Sequence, residues 1–237
     1  VITAELGLPY PEQGLGALRM WGQTGDRPTV WIAAADPVYL EPRLDHLFLH
    51  ALSGETMPPS DLRLLIDHLQ ETLADGRDYG FAMLGASGYL RAEQPISTAD
   101  VPPYVVDQRS ARDFLPAGRA AVRHRNILSE IEMALHEHDV NLRRIEKGNP
   151  PVNSLWLWGG GMAPEKIRRP QPQLFADDAL LYGYWESATA VSDVWPGNLA
   201  ACAEASSGGF VAVTPATDPR SETLLGYLGE LRDLLQS

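Results

Sequence analysis

The chain has 237 residues, of which 44% are hydrophobic and 21% charged, a composition typical of a folded globular protein and not of a disordered one. Its net charge of −12 argues against a general binder of nucleic-acid phosphates, and no apolar run approaches the roughly 18 residues that span a membrane. The single cysteine, Cys202, excludes an internal disulfide framework, so we expect a cytoplasmic protein.

The first half of the chain predicts several strands and one clear amphipathic helix. An apolar run at 30–34 predicts a buried strand. Ser60 can cap a helix whose apolar residues recur at helical spacing, namely Leu62, Leu65, Ile66, Leu69 and Leu73. Residues 80–84 and 88–91 predict the two strands of a hairpin. The Pro- and Asp-rich stretch 92–118 predicts a linker or surface loop, so we place the clearest internal boundary after residue 118.

The second half predicts alternating strands and helices. The predicted elements are a helix at 120–137, a strand at 155–158, strands at 180–185 and 209–213 joined by a helix at 195–205, and a helix at 221–235. This order is typical of α/β proteins with parallel strands. We therefore expect an α/β part over 119–237, with a mostly parallel central sheet and flanking helices. A more irregular α+β part over 1–118 precedes it, and the two parts could form one continuous domain.

Three glycines at 159–161 directly follow the buried strand, and the flanking sequence is unusually basic. Residues 143–169 contain six basic side chains against two acidic ones, in a chain whose net charge is −12. Glycines at a strand end let backbone N–H groups approach a ligand, and local positive charge favours a small phosphate or carboxylate. The predicted ligand-binding residues are Arg143, Arg144, Asn153, Ser154, Gly159, Gly160 and Gly161. The alternative is a tight glycine turn between two solvated basic segments.

Histidines and aspartates offer weaker candidates for a metal site. These residues are His136, His138, Asp177, Asp178 and Asp218, which lie near predicted helix or strand ends. Two histidines separated by two positions point in different directions on a helix, unlike the His-Glu-x-x-His arrangement of helical zinc sites. Helix capping is the structural alternative for His136 and His138, and we expect no resident metal or other cofactor.

A longer stretch, from 130 to 161, resembles a family of uncharacterised bacterial proteins described as RpfE-type regulatory or phosphoglycerate-mutase-like. The resemblance rests on Glu130, Met133, Leu135, His136, Asn141, Arg144, Gly148, the segment Pro-Val-Asn-Ser-Leu-Trp at 151–156, and Trp-Gly-Gly-Gly at 158–161. It implies an α/β scaffold and a distant relation to cofactor-independent phosphoglycerate mutases, which use two divalent metals and a serine nucleophile. The Asp-Ser or Asp-Thr nucleophile pair and the Asp-His metal-ligand sets of those enzymes are not evident in this sequence.

These observations favour a catalytically degenerate, regulatory protein that binds a small anion or a protein partner. The alternative is a phosphotransferase of the mutase or phosphatase type that depends on a divalent metal such as manganese or zinc. A third hypothesis is a protein-interaction module in which exposed helix faces matter more than any pocket. None of the three hypotheses involves a nucleic acid or a membrane.

Overall fold

The computed structural model describes residues 2–44, 47–215 and 221–236. The helices are α1 (Ile2–Glu5), α2 (Leu15–Thr24), α3 (Pro59–Leu73), α4 (Pro103–Val106), α5 (Val122–Leu135), α6 (Asp139–Glu146), α7 (Ala179–Ser187), α8 (Leu199–Ala205) and α9 (Glu222–Gln236). The strands are β1 (Trp31–Pro42), β2 (Leu47–Ala51), β3 (Tyr79–Leu84), β4 (Ser87–Ala92), β5 (Arg109–Ser110), β6 (Ser154–Gly161), β7 (Gln173–Ala176), β8 (Ser192–Val194) and β9 (Phe210–Ala212). No helix in these ranges combines the length and the hydropathy needed to cross a lipid bilayer.

The chain divides into two compact units. The first contains residues 1–17 and 27–163, and the second contains residues 18–26 and 164–237. The predicted boundary after residue 118 falls inside the first unit. The segment 92–118, predicted as a linker or loop, carries α4 and the short strand β5, which pairs with β2.

The first unit is built around a six-stranded sheet in which β1 is the central strand. Along one edge β1 pairs with β4 and then with β2, and along its other edge it pairs with β6. All strand pairs of this sheet are antiparallel. The expectation of a mostly parallel central sheet is therefore not confirmed, because β6, from the second half of the chain, pairs antiparallel with β1, which is distant in sequence.

Helices α3 and α5 cover this sheet and supply much of its core. The predicted apolar stripe of α3 is confirmed, since Leu62, Leu65, Ile66 and Leu69 are all buried. The predicted cap is wrong, because the helix already begins at Pro59 and Pro58 occupies the N-cap position. Proline suits the first turn of a helix, whose N–H groups lack intrahelical acceptors.

The predicted helix at 120–137 is present as α5, and a second helix, α6, follows it after His138. The backbone of His138 is extended, and its Nδ1 accepts a hydrogen bond from the N–H of Val140 at 3.2 Å. His138 thus caps the N-terminus of α6. His136 occupies the C-cap position of α5.

The second unit contains the small parallel sheet, with strand order β8-β7-β9. One of its core clusters contains Phe175, Trp195 and Cys202, together with partly buried neighbours that include Tyr227 of α9. The strand predicted at 180–185 is instead the helix α7. Short apolar runs have no periodicity that separates a buried strand from a buried helix, and here Asp178 caps the helix through the N–H of Leu181 at 2.9 Å.

Candidate functional site

Strand β6 carries most of the predicted ligand-binding residues, but it separates them. Ser154 is its first residue and Gly161 its last. At about 3.3 Å per residue, the two ends of β6 lie roughly 20 Å apart. Asn153 and Ser154 therefore cannot share one small ligand with the glycines.

Arg144, predicted to attract an anion, is a buried structural residue. It is 5% exposed, and its guanidinium donates to the carbonyls of Pro150 at 2.9 Å and Thr56 at 2.8 Å. Burial lowers the pKa of Arg144, and the charge of Asp61 opposes that shift. Arg143 is exposed and lies 3.9 Å from the carboxylate of Asp61.

Asn153 and Ser154 join β6 to β1. The amide of Asn153 imitates a strand backbone, accepting from the N–H of Leu40 at 2.7 Å and donating to its carbonyl at 2.9 Å. Ser154 is buried and pairs with Val38. Both residues support the sheet.

The three glycines are the last residues of β6 and do not form a loop after it. A Cβ at Gly160 would lie 2.4 Å from the ring of Trp31, and a Cβ at Gly161 would lie 2.4 Å from the backbone nitrogen of Gly14. The N–H groups of Gly159 and Gly160 already donate to Ala99 and to Thr98. These glycines therefore permit close packing, and the N–H groups of two of them are not free to bind an anion.

A cavity of about 330 Å³ lies beside Gly159 and Gly160. The side chains of Tyr10, Glu12 and Asp100 line it, and none of the described residues around it is basic. Burial, and then the charge of Asp100, raises the pKa of Tyr10. The electrostatic character of this cavity is therefore opposite to the one predicted at the glycines, and it disfavours a phosphate.

The candidate metal ligands are engaged elsewhere. His136 and His138 belong to the first unit, whereas Asp177 and Asp178 belong to the second. Asp178 caps α7, and the Asp177 carboxylate accepts from the N–H of Trp195 at 3.4 Å. Asp218 lies outside the described residues. Across the described ranges, no group of three or more His, Cys, Asp or Glu residues is arranged to hold a metal ion.

The basic stretch 143–169 is also divided. Arg143 and Arg144 lie in the first unit, while Lys166 and Arg169 lie in the second. The ammonium of Lys166 pairs with the carboxylate of Glu186. Within each unit, part of this positive charge is paired with a carboxylate, Asp61 for Arg143 and Glu186 for Lys166.

Positive charge converges instead at a cavity that the sequence analysis did not identify. The arginine cavity, as we call it, has a volume of about 680 Å³. It is lined by Arg43, Leu47, Arg112, Leu115, Pro116, Ala117, Gly118 and Arg125. Three of these side chains are cationic and none is acidic, so the cavity has the charge that a phosphate or carboxylate requires.

Two of the three guanidinium groups are available to a ligand. That of Arg112 forms no hydrogen bond or ion pair within the described part of the chain, and that of Arg125 makes only long contacts of 3.4 and 3.5 Å with the carbonyl of Gly118. Arg43 is held by Glu41 at 2.8 Å and lies over the ring of Phe48. Among the described residues, Arg112 and Arg125 therefore have no close carboxylate partner, whereas Arg43 is paired with Glu41.

The carboxylate of Glu41 contacts both Arg43 and a residue of β2. Glu41 Oε2 also lies 3.0 Å from Nε2 of His50, and the hydrogen bond with His50, followed by that from Arg43, lowers the pKa of Glu41. Glu41 therefore stays ionised and fixes Arg43 at the cavity wall.

Helix α5 contributes Arg125 to the wall of the arginine cavity. Arg125 lies in its first turn, which contains no acidic residue. The N-terminal end of a helix carries a partial positive charge, and this interacts favourably with anions. The helix dipole therefore has the same sign as the arginines.

A signal for this site was present in the sequence. Residues 109–125 contain five arginines and one aspartate. Arg43, far earlier in the chain, joins them because β1, β2 and β5 are neighbours in the sheet. The composition of the segment could have indicated a cluster of arginines, whereas the contribution of Arg43 required the sheet topology.

The fold and this cavity define a mixed α/β protein with a cationic surface site. No known family model matches the chain. It is 30% identical over 129 residues to the 2,3-bisphosphoglycerate-independent phosphoglycerate mutase of Methanosarcina barkeri, covering 52% of this chain and 31% of that protein. A probable enzyme of the same name from Geobacter sulfurreducens is 39% identical over 64 residues, which cover 27% of this chain and 16% of that protein.

Solved structures of similar proteins include the cofactor-independent phosphoglycerate mutase of Thermoplasma acidophilum. It has a TM-score of 0.45 and 17% identity, and the match covers all of this chain and 69% of that one. The PH0037 protein of Pyrococcus horikoshii has a TM-score of 0.48 and 13% identity, with 86% of this chain and 52% of that one covered. The chain is thus a distant, partial homologue of cofactor-independent phosphoglycerate mutases, and it spans about a third or less of the curated relatives cited above.

Proposed function

We propose that this phosphoglycerate-mutase-like chain binds a small phosphate- or carboxylate-bearing molecule at the arginine cavity and acts as a regulatory protein without phosphotransfer activity of its own. The observation that carries the proposal is the convergence of Arg43, Arg112 and Arg125 on one cavity whose described lining residues include no acidic one. Arginine is well suited to this role, since its planar guanidinium binds phosphate or carboxylate through two parallel hydrogen bonds.

The non-catalytic part of the proposal is supported by the roles of the candidate metal ligands. Metal-assisted phosphoryl transfer needs carboxylates and histidines that converge on ions about 4 Å apart. Here His138 and Asp178 use their side chains to cap helices, and Asp177 accepts a backbone N–H. A manganese- or zinc-dependent phosphotransferase, the alternative from the sequence, would require these contacts to be exchanged for metal coordination.

The proposal is tested by the thermal stability of the chain with inorganic phosphate or 3-phosphoglycerate, at constant ionic strength set with chloride. A ligand at a hundred times its dissociation constant should stabilise the folded state by about 2.7 kcal/mol. Arg112→Gln should weaken binding about tenfold or more, because a hydrogen bond from a charged donor contributes about 1.5–3 kcal/mol. Arg63→Gln removes the same charge from an exposed position on α3 and should leave the affinity unchanged.

Two results would count against the proposal. Equal effects of Arg112→Gln and Arg63→Gln would show that binding depends on net charge and not on the cavity. Stabilisation by 3-phosphoglycerate only when manganese or zinc is added would favour the metal-dependent alternative.

A further inference from the structure

The arginine cavity has apolar walls as well as cationic ones. Leu47, Leu115, Pro116 and Ala117 line it alongside the arginines. Leu47 keeps 41% of its surface exposed, although it belongs to a strand of the main sheet. Apolar side chains that line an open cavity next to cations are suited to a ligand with both an apolar and an anionic part.

The size of the cavity leads to the same conclusion. Its volume of about 680 Å³ lies within the range of roughly 300–1,000 Å³ of sites for drug-sized organic ligands. Such sites are mostly apolar, with a few polar groups that fix the orientation of the ligand. A lone phosphate bound by Arg112 and Arg125 would leave most of this volume, and the apolar wall, to water.

Building on the proposed function, we propose that the ligand is an amphiphilic organic anion. Its phosphate or carboxylate group binds Arg112 and Arg125, and an aromatic ring or short alkyl chain packs on Leu47, Leu115 and Pro116. Such a ligand is larger and more apolar than a triose phosphate. The hydroxyl groups of a triose phosphate would face the apolar side chains of this cavity.

If the ligand packs on the apolar wall, its affinity should increase with the number of carbon atoms in its organic part. Each methylene group fully removed from water contributes up to about a fourfold gain in affinity. Because the cavity is open to solvent, burial is partial, and we expect about twofold to fourfold per methylene. The gain should require the anionic group, since the guanidinium groups hold the ligand against the wall.

The experiment is a calorimetric titration of the chain with inorganic phosphate, butyl phosphate, hexyl phosphate and phenyl phosphate. Benzyl alcohol serves as the neutral control. The same series is measured on Leu115→Ser, which removes apolar wall, and on Arg112→Gln, which removes a cation. Pro116→Ser provides a second change to the wall, and circular dichroism verifies that each variant is folded.

We expect affinity to rise at least tenfold from inorganic phosphate to hexyl or phenyl phosphate, with no detectable binding of benzyl alcohol. Leu115→Ser or Pro116→Ser should lower the affinity for hexyl phosphate by a larger factor than the affinity for inorganic phosphate, whereas Arg112→Gln should weaken the binding of every anion. Equal affinities for all four anions would overturn this inference and leave the proposed anion site standing. Failure of all four to bind would overturn the proposed function and this inference together.

Discussion

His124 is a buried histidine whose ionisation should couple folding to pH. It is 1% exposed, and neither ring nitrogen has a well-aligned hydrogen-bond partner among the described residues. Burial lowers the pKa of His124 to about 4, the backbone of Ser97 opposes this shift, and the charge of Arg125 adds to it. The folded protein therefore holds this imidazole in its neutral form at neutral pH.

The sign and size of the effect follow from linkage. A histidine in an unfolded chain protonates near pH 6.5, so below that pH the unfolded state binds more protons than the folded state. The stability due to neutral His124 is fully present above about pH 6.5 and is lost as the pH falls towards 4. The loss is about 2 kcal/mol at pH 5 and about 3 kcal/mol at pH 4.

The assay is urea unfolding of the wild-type chain and of His124→Phe, which keeps a ring in the core but cannot ionise. Carboxylates titrate in both proteins, so the difference between their unfolding free energies isolates His124. From about pH 7 to about pH 5, this difference should shift by about 2 kcal/mol in favour of His124→Phe. If the unfolding free energies of the wild type and of His124→Phe change in parallel with pH, His124 is not held neutral in the folded protein.

Three further predictions concern residues that the sequence associated with a ligand or a family motif, each measured as the free energy of unfolding. Arg144→Ala should destabilise by about 3 kcal/mol, because two carbonyls lose a charged donor, whereas Arg143→Ala should cost less than about 1 kcal/mol. Gly160→Ala should cost about 1–3 kcal/mol because its Cβ meets Trp31, while a Cβ at Gly208 meets nothing within 4 Å and Gly208→Ala should be nearly neutral. Asn141→Ala should cost about 2–4 kcal/mol, since three hydrogen bonds of 2.7–2.8 Å are lost from a buried site. Equal stability of a variant and its wild type, or of a variant and its control, would contradict the corresponding assignment.

The sequence predicted the elements whose apolar pattern is periodic. The stripe of α3, the β3–β4 hairpin and the long helix α9 are all present close to their predicted positions. The predicted element type was wrong at α7, because an apolar run without polar alternation fits a helix and a strand equally well. The direction of the main sheet failed for a different reason, because strand pairing is set by contacts distant in sequence.

The candidate site was harder to predict because basic residues that are close in the sequence need not be close in the folded structure. The arginines of 143–169 are divided between two units, and one of them is buried under carbonyl groups. The motif that carries the family resemblance proves to be largely structural. Asn141 and Asn153 bond to backbone, while the indole groups of Trp156 and Trp158 donate to Val101 and Asp36. A similar motif in another chain is therefore stronger evidence for a similar scaffold than for a similar activity.

We propose that the chain binds anions at the arginine cavity and not at the end of β6. The most direct test is a heteronuclear NMR titration of the full chain with inorganic phosphate, following backbone amide shifts. If phosphate binds at the arginine cavity, we expect saturable amide shifts at Arg112, Leu115, Gly118 and the first turn of α5. Saturable shifts confined to Arg143, Arg144 and residues 159–161, with the arginine cavity unchanged, would contradict this proposal.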